Sequence, residues 1–144
     1  MDDYSSSVGT SLVGIIRADI SCLTFKNKSR ADDQDIIDYL LSVFNNSRHG
    51  CEHGNPSHQI PALIGSRDLD QILETSQLTR DDLRRMNLSG EYPKLNTSNA
   101  EIRCLHGMHR VKAAEQFLRQ RDPENYPENC WWIIKLFTFS THSK

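Results

Sequence analysis

Residues 103–118, RCLHGMHRVKAAEQFL, change character halfway along: an apolar run meets Gly107, His109 and Arg110 and then continues as an amphipathic pattern. Glu101 to Leu105 is predicted as a strand and Arg110 to Arg121 as a helix with Val111, Ala114 and Leu118 along one face. A strand that turns directly into a helix puts the helix's unpaired N–H groups and positive dipole end at the turn. Gly107 permits a positive φ or a close backbone approach, Arg110 offers a planar fork of donors, and His109 adds a donor near neutral pH. Such a set suits phosphate recognition. The plainer alternative makes Gly107 a turn glycine, Arg110 a solvated residue and His106 and His109 bystanders, and spacing does not decide between the two.

Outward from this corner, the sequence alternates strands and helices. Leu12–Ile16 and Ile20–Phe25 are predicted as short strands after a flexible leader at 1–10. Ile36, Ile37, Leu40, Leu41, Val43 and Phe44 fall at helical spacing behind Asp32, Asp33 and Asp35, acids that the helix dipole favours. The glycine- and proline-bearing stretch 45–59 reads as a loop, and IPALIG (60–65) as a strand. Ser66 is predicted to cap a helix to Thr75, and Thr79 with Asp82 to form a capping box for a shorter helix to Met86. DPENYPENC ends the last helix, and WWIIKLFTF (131–139) is the most strand-like run, with Trp131 and Trp132 on opposite faces and a helix the expected cover for one of them. Residues 11–144 therefore make one mixed α/β domain.

Its 144 residues suit a single core, with 37% hydrophobic and 25% charged residues and a mean hydropathy of −0.60. A net charge of −2 gives no general attraction to a polyanion, so any nucleic-acid contact would need a local patch. Cys22, Cys51, Cys104 and Cys130 form no CxxC pair, and no secretory pattern opens the chain, so reduced thiols and an intracellular location are expected. SLVGII (11–16) is too short to span a membrane.

IRCLHGMHRVKAAEQFL with the following WWIIKL resembles the L-H-G-x-H-R-x-x-A-A block and Trp-rich strand of a fungal domain family of unknown function, whose members often accompany accessory genes of mobile elements. The likeness runs in order over residues 20–139 and includes HQIPALI. The same block is similar to the ParB/sulfiredoxin-like fold, in which a G-x-x-R corner holds nucleotide phosphates. That resemblance implies a small mixed sheet flanked by helices, with Gly107, Met108, His109 and Arg110 at a phosphate pocket and Ala113 and Ala114 letting the helix lie close to the sheet. It also implies Asn27 and Arg30, ahead of the first long helix, as nucleotide contacts. The implied ligand is a nucleotide or phosphorylated small molecule, with weak hydrolysis or phosphoryl transfer as the associated chemistry; the base, and any need for magnesium, stay open.

Two departures limit the carry-over. Met108 stands where sulfiredoxins carry their catalytic cysteine, and a thioether supplies no thiolate. Few residues follow Phe139, leaving no ParB-type helix-turn-helix, so direct DNA binding is not expected. A non-catalytic interaction module, or a shortened and decayed copy of the fold, is the alternative from another class; a redox enzyme using Cys51 or Cys104 is a third. His49, Cys51, His53 and His58 are of ligand type, but His-x-Cys-x-His is no common zinc arrangement and a polar loop is the expectation.

Overall fold

The structure, a computed structural model, describes residues 10–26, 33–48, 50–97 and 100–139. Asn27, Arg30, Asp32, His49 and residues 1–9 lie outside them. The strands are β1 (Thr10–Asp19), β2 (Leu23–Phe25), β3 (Ile60–Gly65), β4 (Ile102–Cys104) and β5 (Trp131–Phe139). The helices are α1 (Asp33–Asn46), α2 (Ser66–Thr75), α3 (Arg80–Leu88), α4 (Met108–Arg121) and the single turn α5 (Tyr126–Asn129). The expected mixed α and β architecture is present as one five-stranded sheet, ordered β1-β5-β3-β4-β2. β1/β5 and β3/β4 are antiparallel, while β3/β5 and β2/β4 are parallel.

Register sorts the strand residues into two unlike faces. Ile16 and Ala18 of β1, Trp132, Ile134 and Leu136 of β5, Ile60, Ala62 and Ile64 of β3, and Ile102 and Cys104 of β4 share a face and are buried. They join Leu69, Ile72 and Leu73 of α2, Leu83 of α3 and Val111, Ala113, Ala114 and Phe117 of α4 in one core. The two alanines are fully buried, as close helix packing requires, and Phe117 meets Phe44 of α1 edge-on with centroids 5.9 Å apart. Trp132 can be buried because its indole N–H donates to the His58 carbonyl at 2.9 Å. The other face carries Arg17, Trp131, Lys135, Phe137, Phe139 and Arg103, all half-buried or exposed, together with Ile133, which is buried.

The outer edge of β1 is covered. The Asn87 side chain of α3 accepts from the Ile15 N–H at 2.7 Å and donates to its carbonyl at 3.0 Å, substituting for a neighbouring strand. Arg17 then bonds Pro93 and Leu95 through its backbone.

Four local expectations change. β1 begins at Thr10, inside the predicted leader. Ile20–Phe25 is not one strand: Ile20–Cys22 forms a 3-10 turn, because the chain must pass from one sheet edge to the other within a few residues. Asp19 to Leu23 reaches at most about 14 Å, whereas four flat strand spacings need roughly 19 Å, so the sheet curls at this end. Ser66 is the first helical residue rather than the cap; its hydroxyl donates to the Phe139 carbonyl at 3.0 Å and Gly65 takes the cap position. Trp131 is covered by the 51–55 loop rather than by a helix, with the His53 ring 4.0 Å from its own. The capping box at Thr79 and Asp82 has both of its bonds, each 3.0 Å.

Candidate functional site

β4 delivers the chain to the corner. Leu105 extends the pairing with a bond from its N–H to the Pro61 carbonyl, and Gly107 then adopts φ 95° and ψ 9° as the N-cap of α4. An L side chain is strained there, and a Cβ would lie 2.6 Å from Cδ1 of Ile60, so torsion and space both require glycine. The first helical bond runs from the Val111 N–H to the Gly107 carbonyl, and glycine has no side chain with which to cap. Among the described residues nothing accepts from the N–H groups of Met108, His109 or Arg110. Three aligned donors at the positive end of a fourteen-residue helix are what an anion needs.

The side chains around them divide the work. Met108 is buried, so it faces the corner only through its N–H. Arg110 is half-buried and makes no hydrogen bond or ion pair among the described residues. His109 bonds Asp33, the first residue of α1, with 2.7 Å between Nε2 and Oδ1. Since an ionised carboxylate accepts, the proton of this bond sits on Nε2. Asp33 is 8% exposed, and its bond to His109 ties the start of α1 to the start of α4. The described residues at this corner thus present hydrogen-bond donors toward solvent.

Of the sequence-predicted residues, Gly107, Met108, His109 and Arg110 come together here; Asn27 and Arg30 fall outside the described residues, just ahead of Asp33. His106 is exposed beside them. In the sequence Asp33 reads only as an acid at a helix start. Its link to His109 crosses 76 residues, and no local pattern announces it.

The thiols have a different character. Burial pushes Cys104 up to about 12 and raises Cys51, with backbone N–H bonds at His53 and Cys51 pulling the latter only partly back. Both lean toward the protonated thiol, unlike the exposed, electropositive settings that lower a thiol's pKa. Cys51 Sγ lies 3.8 Å from His53 Nδ1, and among the described residues no three metal-ligating side chains converge. His53 is held below the usual histidine range by burial and then by Arg17. No helix among the described residues is long and apolar enough to cross a membrane.

Residues 12–144 match the family model described as the N-terminal domain of a protein of unknown function (DUF3723). The chain belongs to that family. No curated protein and no solved structure matches it. Within the DUF3723 N-terminal domain as this chain builds it, the Gly107 corner and the open sheet face are two places where chemistry-bearing side chains gather among the described residues.

Proposed function

We propose that the domain binds a nucleotide or another phosphate ester at the Gly107 corner, with the ParB/sulfiredoxin-like arrangement that its sequence resembles. One observation carries this: a glycine-capped helix start presents three unpaired N–H groups beside an arginine with no carboxylate partner among the described residues. Phosphate oxygens would take the N–H groups of Met108, His109 and Arg110, and the Arg110 guanidinium would neutralise their charge in a fork-like contact. His109, its Nε2 proton engaged by Asp33, has Nδ1 available to move a proton, which fits slow hydrolysis or phosphoryl transfer.

The test is thermal unfolding against CTP, ATP, ADP, GTP and inorganic phosphate, with and without magnesium. A ligand at a hundred times its Kd adds about 2.7 kcal/mol, visible as a rise in Tm. Arg110→Ala is expected to abolish the rise while leaving the Tm of the free protein within about 0.5 kcal/mol of wild type. A ligand response unchanged in that variant would sink the assignment.

A protein-interaction module is the alternative, favoured by a stripe on α1: Ile36, Tyr39 and Val43, spaced three and four apart, are 36%, 68% and 42% exposed. Absence of a shift with every phosphate ligand would favour it.

A further inference from the structure

We infer that the open face of the sheet binds single-stranded nucleic acid. The face lies opposite the buried one, away from Ile60 against which Gly107 packs. Three of its aromatic rings each carry a cation: Arg17 over Trp131 at 4.9 Å, Lys135 over Phe137 at 5.8 Å and Arg103 over Phe139 at 4.9 Å. The rings all belong to β5, which is flanked by strands on both sides. Phe137 and Phe139 are on the order of 7 Å apart along the strand, and Trp131 to Phe139 spans about 27 Å.

Charge and shape specify the occupant. None of the three cations has a carboxylate partner among the described residues; Arg17 is held instead by the Tyr92 carbonyl at 2.6 Å. Asp19, which shares this face, is paired with Lys94 at 3.2 Å. Glu101, which accepts from Thr24, and Glu91 lie at its borders and limit the positive region to the strip along β5. Positive charge interleaved with rings on an open sheet fits a chain of alternating phosphates and flat bases. At one end Trp131, Arg17, Tyr92 and Gly54 line a cleft of about 450 Å³, open to solvent, that can take the end of the strand, while the rings left for stacking are Phe137 and Phe139, since His53 and Arg17 cover Trp131. A duplex, with its bases already stacked, cannot use these rings. An acidic peptide would use the cations and leave the rings idle.

The test titrates the full chain into a labelled oligouridylate of about ten nucleotides and into the same strand as a duplex, at about 50 mM salt. Fluorescence anisotropy gives Kd. Tryptophan quenching gives location, because Trp132 is fully buried and only Trp131 can be reached. The single strand is expected to bind better than the duplex and to quench Trp131. Lys135→Glu and Arg103→Glu are each expected to weaken binding roughly tenfold and to lower the slope of log K against log salt by about 0.7. Phe139→Leu keeps an apolar side chain in place and is expected to weaken binding roughly tenfold through lost stacking alone. Trp131 quenching by the single strand is expected to persist in the presence of saturating inorganic phosphate, which separates this surface from the corner. No single-strand binding, equal affinity for duplex, tighter binding of a polyglutamate peptide than of the single strand, or insensitivity to both charge reversals would overturn the proposal.

Discussion

The two faces of one sheet are built from the same strands yet follow opposite rules. On one, Ile16, Ile64, Trp132, Ile134 and Leu136 are nearly sealed from water beneath helices. On the other, Arg17, Lys135 and Arg103 lie over rings that remain partly exposed. The buried face carries stability through apolar area and packing, and the open face carries charge and flat surface that the fold uses only in part. Trp131 and Trp132 are adjacent in sequence and separate these roles by the alternation of the strand alone.

The largest expected effect breaks that contrast at its sharpest point. Trp132→Ala removes a fully buried ring and the partner of the His58 carbonyl, and is expected to cost about 3–5 kcal/mol in urea unfolding. Trp131→Ala loses its contact with His53 and is expected to cost about 1 kcal/mol. Equal losses would erase the distinction between the faces.

A smaller effect sharpens the contrast with two glycines of similar backbone. Gly107, at φ 95°, abuts Ile60 of the buried face, whereas Gly90, at φ 81°, borders the open-face cleft and has nothing within 4 Å of a built Cβ. Alanine at Gly90 is expected to cost only the left-handed torsion, roughly 1–2 kcal/mol. Alanine at Gly107 adds the clash with Ile60, and its Tm is expected to fall further. Matching midpoints for the two variants would mean that Ile60 shifts aside without penalty.

The smallest effect concerns pH. His53, against Trp131, is lowered from 6.5 by burial, so the unfolded chain takes up its proton first as pH falls. Its contribution to stability is complete above about 6.5 and is lost as pH falls through that value toward the lowered folded one. The Tm advantage of wild type over His53→Gln is expected to shrink between about pH 7.5 and 5.5. An advantage independent of pH would show that the folded histidine titrates normally.

Much of this layout was legible in the residues. The aromatic and β-branched run at 131–139 announced a strand, and the Thr79/Asp82 pair announced a helix start whose bonds are local. Gly107 beside Arg110 marked a corner because a glycine before an amphipathic run is a local backbone signal. The turn at Ile20–Cys22 was not legible, since Ile20 is directed by a bond to Cys130 at the far end of the chain. The cationic strip was equally hidden: Arg17, Arg103 and Lys135 are scattered in a chain whose net charge is −2.

By itself the sequence determined the elements, their amphipathic faces and the glycine corner, because hydrophobic period, capping and φ preference act over a few residues. Only the tertiary structure decided that His109 meets Asp33, that Trp131 lies under Arg17 and His53, and which sheet face stays open. Those outcomes depend on strand order and on which helices cover which side, and such contacts join residues tens of positions apart that no local propensity couples.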